Sequence, residues 1–190
     1  MKAHFICLAN SKKWQERCIA GIRLSLRPDK NFDVFEEKGK PKWIRPVSHS
    51  EHGEVSEAFV RNINLLDIVE TEIVKECPSG YQCENVFVKE KSFKVIRKAK
   101  LEKNNISRLV TKNVNLIYGS NEKSVSVSEA EKTDYSLIFV KPKSPSFIKV
   151  RNRYVKDQLR TEFTFKDVSY NLPVTDLNFL KAVLSKTGVY

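Results

Sequence analysis

Trp43 and Arg45 are the first candidates for chemistry, because they lie in the strand-like segment WIRPVS (43–48). Side chains two residues apart share one face of an extended chain. An indole stacks on a nucleobase, and a guanidinium contacts a phosphate or a base edge. The structural alternative is that Trp43 anchors the core and Arg45 forms an internal ion pair.

A second candidate is the segment GYQCEN (80–85), which places Tyr81 beside the polar side chains of Gln82, Glu84 and Asn85. Amide and carboxylate groups offer paired donors and acceptors that suit a base edge or a ribose. We expect this segment to line a pocket together with Trp43 or Arg45. The alternative is a turn whose polar side chains cap the backbone.

A catalytic interpretation of the same segment makes Glu84 a general base, with Gln82 and either His49 or His52 beside it. A general base needs a nucleophile or a metal ion nearby, and no second carboxylate follows at a fixed spacing. The two histidines belong to the polar segment SHSEHGE (48–54), which predicts a solvated loop. The four cysteines form no CxxC motif, and the chain has no Walker, GxGxxG or GxSxG motif. The sequence therefore predicts no metal site and no cofactor.

The third candidate is a basic stretch, 141–160, in which seven Lys and Arg residues stand against one acidic residue, Asp157. Phe147, Lys149, Arg151 and Arg153 alternate and therefore share one face of a predicted strand. Like charges on one face repel unless a polyanion lies opposite. Binding to a phosphate backbone is thus predicted for this face and for Lys156 and Arg160, with a solvated exterior as the alternative.

The segment NSKKWQER (10–17) predicts a basic loop whose Lys12 and Arg17 form another wall of the binding site. The alternative is an ordinary solvated loop. The net charge of the whole chain favours an anionic partner. Its 190 residues include 34 Lys and Arg against 23 Asp and Glu, which gives a net charge of +11.

The elements that must position these residues are mostly short strands. Extended segments are predicted at Trp43–Val47, Val114–Tyr118 and Tyr135–Lys141, and Asp176–Lys186 predicts one helix. Arg27–Lys42 predicts a loop. Two groups of about five strands, joined near 95–105, predict a mainly β protein of two small OB-like barrels packed together, at 1–98 and 99–190, with a short helix near the C-terminus.

Four motifs carry a resemblance to a known family: residues 7–22 (CLANSKKWQERCIAGI), 43–48, 65–70 (LLDIVE) and 80–85, in this order. They resemble the prokaryotic family called the dual OB-fold-containing domain, often encoded beside defence or mobile-element genes. SYNLPVTD (169–176) looks like its C-terminal strand and turn. The resemblance implies two OB-like barrels that bind nucleic acid or nucleotides. Members usually continue with further strands, so we expect the second barrel to be incomplete at Tyr190 or closed differently.

The sequence therefore predicts a non-enzymatic module that binds single-stranded or structured nucleic acid, or a nucleotide. A protein from a neighbouring defence gene is a further expected partner. The alternatives are a nuclease or nucleotide-processing enzyme that uses Gln82, Glu84 and Asn85, and a protein-interaction or inhibitor module. No apolar run is long enough for a membrane helix, and the N-terminus lacks the pattern of a signal peptide, so a cytoplasmic location is expected.

Overall fold

The computed structural model describes residues 1–13, 16–100, 103–111, 114, 117, 124–151 and 157–186. The chain divides into two compact units, Met1–Leu109 and Val110–Tyr190, called here the first and second unit. It is mainly β, with a short helix near the C-terminus, as the sequence predicts. The predicted boundary at 98/99 stays a prediction.

The first unit contains nine strands, two helices and a 3-10 turn among its described residues. The strands are β1 (Lys2–Lys13), β2 (Glu16–Leu26), β3 (Phe32–Val34), β4 (Glu36–Glu37), β5 (Lys40–Pro41), β6 (Trp43–Val47), β7 (Asp67–Glu76), β8 (Asn85–Val88) and β9 (Lys94–Lys98). The helices are α1 (Glu57–Val60) and α2 (Lys103–Leu109), and the 3-10 turn is Glu90–Ser92.

Five of these strands close into a barrel. β1 pairs with β2 and with β7, β2 pairs with β6, and β8 lies between β6 and β7. Every pairing in this ring is antiparallel except that of β6 with β8, which is parallel. This strand order, with α1 between the third and fourth barrel strands, is that of a five-stranded OB barrel.

Alternation along each strand builds the barrel core, since successive side chains point to opposite faces. Ile44 and Pro46 of β6 are fully buried, whereas Trp43 and Arg45, which alternate with them, lie on the outer face and are half-buried. Each fully buried aliphatic or phenyl side chain stabilises the fold by about 1.5–3 kcal/mol. The main core residues are Ala3, Phe5, Cys7, Ile19, Ile44, Val55, Val60, Ile63, Val69, Ile73, Val86 and Val88.

Gly21 allows β1 and β2 to approach closely at a bulge. The pairing register shifts between Cys7 and Ala9, so that the extra residue, Leu8, lies in the strand opposite Gly21. A Cβ atom on Gly21 would lie 2.0 Å from the carbonyl oxygen of Ile6. Only glycine fits at this position.

Pro46 lies inside the barrel rather than at a sheet edge, where a proline is usually found. The amide of Arg45 donates to the carbonyl of Glu84, 2.8 Å away, so the next nitrogen along β6 faces away from β8 and toward β2. The pairing of β6 with β2 ends at Ile44. The missing N–H of Pro46 therefore falls beyond the last ladder pair.

The described residues of the second unit contain α3 (Val127–Ala130), β10 (Lys143–Arg151), β11 (Asp157–Phe165), β12 (Val168–Pro173) and α4 (Leu177–Lys186). The strands form an antiparallel sheet in the order β10-β11-β12, which is open within the described residues. Lys166 and Asp167 form the β11–β12 turn. Their φ values are +46° and +65°, and a two-residue type I′ turn requires positive φ at both central residues. The assignment of this unit as a second barrel stays a prediction.

Two predicted elements outside the candidate site differ from the structure, and a third lies mostly outside the described residues. The loop predicted at Arg27–Lys42 contains β3, β4 and β5. The strand predicted at Tyr135–Lys141 is irregular, although the amide of Thr111 donates to the carbonyl of Phe139. An apolar run becomes a strand only where a neighbouring strand accompanies it. The strand predicted at Val114–Tyr118 lies mostly outside the described residues.

Candidate nucleic-acid interface

The segment 77–84, which joins β7 to β8, forms a tight turn. Ser79 and Gln82 exchange backbone hydrogen bonds of 3.2 and 2.9 Å, and Gly80 has a φ of +52° at the first central position. That geometry favours glycine because residues with a Cβ atom rarely adopt it. Tyr81 stands at the second central position and is half-buried. In OB barrels, this connection flanks the ligand-binding face.

The turn is joined to β6 by a hydrogen-bonded series of three side chains. The Nε atom of Arg45 donates to Oδ1 of Asn85 at 2.6 Å, and Nδ2 of Asn85 donates to Oε1 of Gln82 at 3.3 Å. Asn85 is 6% exposed and the neighbouring Glu84 is 9% exposed. The structure thus brings the predicted motif residues together. It also gives Asn85 a structural role in positioning the guanidinium.

Trp43 lies on the outer face of β6, directly opposite Ile22 of β2. Ile22 is fully buried, so this part of the outer face is covered and is not an open platform. Trp43 itself is half-buried. The indole is therefore partly packed and partly exposed. This agrees with a role of Trp43 in packing and also with a role in stacking on a base.

The segment 10–17 differs from the predicted loop, because β1 extends to Lys13 and β2 begins at Glu16. This β1–β2 hairpin places Lys12 directly opposite Arg17. Lys12 is exposed. Arg17 is not a free cation, because its Nη2 atom lies 2.5 Å from Oε1 of Glu57 and its side chain is 11% exposed. The Arg17 guanidinium holds the pKa of Glu57 below its usual value. Arg17 therefore fastens the hairpin to α1, a role that basic character alone did not predict.

In the second unit, the predicted alternation along β10 is present. Phe147, Lys149 and Arg151 are exposed, and the residues between them are half-buried. The Nζ atom of Lys149 lies 2.8 Å from Oδ2 of Asp157, and this contact lowers the pKa of Asp157. The like-charge repulsion is thus relieved within the protein, which weakens the argument that a polyanion must lie opposite.

Phe147 and Arg160 have structural contacts of their own. The ring of Phe147 is 47% exposed, yet its centroid lies 4.8 Å from that of Phe179 on α4. Arg160 pairs with Ile148 across the sheet and therefore lies on the opposite face from Lys149. Its guanidinium donates to Gln158 and Asn171. Two further predicted contacts, Arg153 and Lys156, lie outside the described residues.

The polar segment 48–54 differs from the predicted solvated loop. Glu51 and His52 are exposed, but Glu54 is 5% exposed and its backbone carbonyl accepts from Ser48 Oγ. The segment borders a cleft of about 280 Å³ in the first unit. The cleft is lined by Glu16, Ser48, His49, Ser50, Glu54, Ser56, Val88 and Glu90.

Sequence reasoning missed this cleft because its residues come from three separate segments, at Glu16, 48–56 and 88–90. Two of its carboxylates hold the start of α1: Glu16 accepts from the amide of Glu57 at 2.5 Å, and Glu90 accepts from the amide of Ser56 at 2.8 Å. Three glutamates make the cleft unfavourable for a phosphate. In the part of the chain that the structure describes, no group of three or more His, Cys, Asp or Glu side chains is arranged to hold a metal ion.

The comparison with known families agrees with this topology. The model of a family described as the dual OB-containing domain matches residues 3–190. The chain belongs to the dual OB-containing domain family. OB folds are a nucleic-acid-binding type of fold. No curated protein and no solved structure matches the chain.

Family membership supports the fold of this dual OB chain, while the residues that would bind a ligand come from the geometry alone. Arg45, Tyr81 and Gln82 gather at one end of the β6–β8 pair. None of the helices in the described residues has the length and apolarity of a membrane span.

Proposed function

We propose that this dual OB chain is a non-enzymatic module that binds single-stranded or structured nucleic acid. The observation that carries the proposal is the closed barrel of the first unit, in which Asn85 joins Arg45 of β6 to Gln82 of the 77–84 turn. Tyr81 precedes Gln82 in that turn, and Trp43 shares the outer face of β6 with Arg45. This is the part of an OB barrel at which oligonucleotides bind. The net charge of +11 favours the same class of ligand.

The contacts of the side chains suggest a different role for each residue of this proposed site. Tyr81 is the aromatic group at the tip of the turn, and stacking of a base on it requires no particular sequence. Arg45 is held in one orientation by Asn85, so its guanidinium is preorganised for a phosphate or a base edge. Gln82 shares its amide with Asn85 and has capacity left for a base edge.

The second unit supplies a separate proposed surface. Phe147 and Arg151 are exposed on β10, an edge strand of its sheet. Arg151 is a phosphate contact in this proposal, and Lys149 is a weaker one because Asp157 already neutralises it. We also propose a prokaryotic defence or mobile-element setting, a cytoplasmic location and a neighbouring-gene protein as second partner, on the strength of the resemblance.

The experiment is a fluorescence-anisotropy titration of the purified chain with single- and double-stranded DNA and RNA at about 50 and 200 mM salt. We expect saturable binding that weakens steeply with salt, because phosphate contacts release counterions. Product analysis of the same samples should show intact oligonucleotide. Absence of binding to every oligonucleotide at the lower salt would refute the proposal, and turnover would favour the enzymatic alternative.

A variant of the turn tests the site itself. Tyr81→Ala should weaken binding by about 5- to 150-fold, corresponding to a stacking loss of about 1–3 kcal/mol, without changing the salt slope. The control is Phe59→Ala, which removes a ring from α1 that is 36% exposed and lies outside the turn. Equal binding by the two variants would remove the turn from the interface.

A further inference from the structure

The positive charge of the first unit is concentrated in one short segment. Residues 1–109 contain 21 basic and 15 acidic residues, and residues 89–100 alone contain six basic residues and one acidic residue. The remaining 97 residues are almost neutral, with 15 basic and 14 acidic residues. The segment 89–100, called here the β9 segment, is therefore the source of nearly all the net charge of this unit.

Strand β9 is exposed to solvent along its whole length. All five residues of β9 are exposed, including the apolar Val95 and Ile96, which are 40% and 38% exposed. β9 pairs with β7 along one edge, and in the described residues no strand pairs with its other edge. Side chains on one face of such a strand recur about every 6.6 Å.

The cations of the β9 segment differ in how far the protein already neutralises them. Lys89 forms an ion pair with Glu72 at 2.8 Å, and Lys98 lies 3.8 Å from Asp67. In contrast, the ammonium groups of Lys91, Lys94 and Lys100 form no hydrogen bond or ion pair with any residue that the structure describes. The guanidinium of Arg97 lies over the ring of Phe32. The ammonium groups of Lys91 and Lys94 are therefore available to contact an anionic ligand.

We propose that the β9 segment binds phosphates: Lys91, in the 3-10 turn before β9, and Lys94, at the start of β9, contact the backbone of a nucleic acid. Val95 and Ile96 contact its sugars and bases. This inference rests on the proposed function and adds a contact surface to it. Within β9, Lys94 and the pair Arg97 and Lys98 flank the exposed apolar residues Val95 and Ile96. Cations beside exposed apolar groups offer contacts for both the phosphates and the bases of a nucleic acid. The competing explanation is that lysines on an edge strand prevent pairing with other chains.

The test compares two charge-matched double variants of the full chain. Lys91→Gln with Lys94→Gln removes two cations of the β9 segment that form no ion pair with a described residue. Lys30→Gln with Lys38→Gln removes two exposed lysines from turns elsewhere in the first unit, both at positive φ, where glutamine fits as lysine does. Both pairs lie on the surface, and thermal melting verifies that the variants are folded.

For two lost phosphate contacts on a single strand, the slope of log affinity against log salt should flatten by about 1.4, and affinity at 0.1 M salt should fall by about 25-fold. The Lys30/Lys38 control should keep the wild-type slope. If the wild-type chain binds an oligonucleotide and the Lys91/Lys94 variant keeps its slope, the β9 inference fails while the proposed function stands. If the wild-type chain binds no oligonucleotide, the proposed function fails, and the β9 inference, which rests on it, fails with it.

Self-association provides the remaining outcome. Should the Lys91/Lys94 variant bind oligonucleotide normally and form dimers or aggregates in sedimentation experiments, the lysines protect the strand edge and the phosphate-binding role is overturned. A charge reversal, Lys94→Glu, provides a graded measurement. It should weaken binding more than Lys94→Gln if Lys94 faces phosphates, and equally if it does not.

Discussion

Asn85 shows how one side chain can serve both the fold and the candidate site. The pattern of residues 80–85 predicts polar groups for a ligand, but Asn85 is buried and uses its amide to hold Arg45 and Gln82. Removing it leaves the Nε of a guanidinium without its acceptor. A binding defect at this position would therefore mix lost contacts with lost structure.

The two amides of this series should accordingly differ in their effect on stability. Asn85→Ala should lower the free energy of unfolding by about 2–3 kcal/mol, because it removes a hydrogen bond to a charged group and leaves a donor unpaired. Gln82→Ala should cost about 0.5–1 kcal/mol, since it removes one hydrogen bond between neutral groups. Urea denaturation of both variants measures this difference, and equal losses would contradict the structural role of Asn85.

Glu70 links protonation to stability on the outer face of β1 and β7. Its carboxylate lies 3.0 Å from Nζ of Lys2 and 3.2 Å from Nε2 of His4. The hydrogen bond from Lys2 contributes most to lowering the pKa of Glu70 below its usual 4.5. A lowered folded-state pKa means stability that is present above pH 4.5 and lost as pH falls through the folded value.

The free energy of unfolding should therefore fall more steeply with acidification in wild type than in Glu70→Gln, over about pH 5 to 3. Chemical denaturation at a series of pH values measures both profiles. Parallel profiles would show that the Lys2 and His4 contacts contribute nothing to the folded state at neutral pH.

At the scale of elements, closure of the barrel depends on how closely β1 and β2 approach. The Cβ of an alanine at position 21 would meet the Ile6 carbonyl and the Phe5 ring, and backbone cannot move aside as a flexible side chain can. Gly39, in the β4–β5 turn, has open space around it but a φ of +71°. These two glycines therefore separate steric cost from conformational cost.

Gly21→Ala should destabilise the protein by about 3 kcal/mol or more, because overpacking against backbone forces β1 and β2 apart. Gly39→Ala should cost about 1 kcal/mol, from the left-handed conformation alone. Thermal or urea unfolding compares the two variants. Similar costs at both positions would mean that the barrel tolerates separation of β1 from β2.

The sequence predicts those elements whose information is local. The alternation in Trp43–Val47 and the capped apolar face of Asp176–Lys186 correspond to β6 and α4, and the alternation of β10 is as predicted. Tyr135–Lys141 has the same local character but lacks an accompanying strand in the described residues. Whether an apolar run pairs depends on distant segments, so periodicity cannot decide it.

In the candidate site, the sequence predicts which motifs lie close together, but it does not predict which charged side chains form ion pairs. The family resemblance places residues 43–48 and 80–85 in one site, and β6 and β8 do pair. The neutralisation of Arg17 by Glu57 requires a contact across 40 positions that no local pattern reveals. The charge of the β9 segment, in contrast, is local information that a moving count of charge along the sequence reveals.

At the scale of the whole molecule, the basic surfaces divide between the two units. The first unit carries its charge in residues 89–100, and the second exposes Arg151 at the end of β10. An OB fold covers about 4–16 nucleotides, so an oligonucleotide of about 30 nucleotides is long enough for two such modules. If both surfaces bind one strand, their salt contributions must add.

Combining Lys91→Gln and Lys94→Gln with Arg151→Gln should flatten the salt slope for such an oligonucleotide by about 2 in total, of which Arg151 contributes about 0.7. For an oligonucleotide of about 10 nucleotides, which one module covers, the Arg151 and β9 effects should no longer add, because a single surface is then occupied. Anisotropy titrations with both lengths across a salt series measure this. Additivity at the short length would place both surfaces in one site, and no Arg151 effect at either length would confine binding to the first unit.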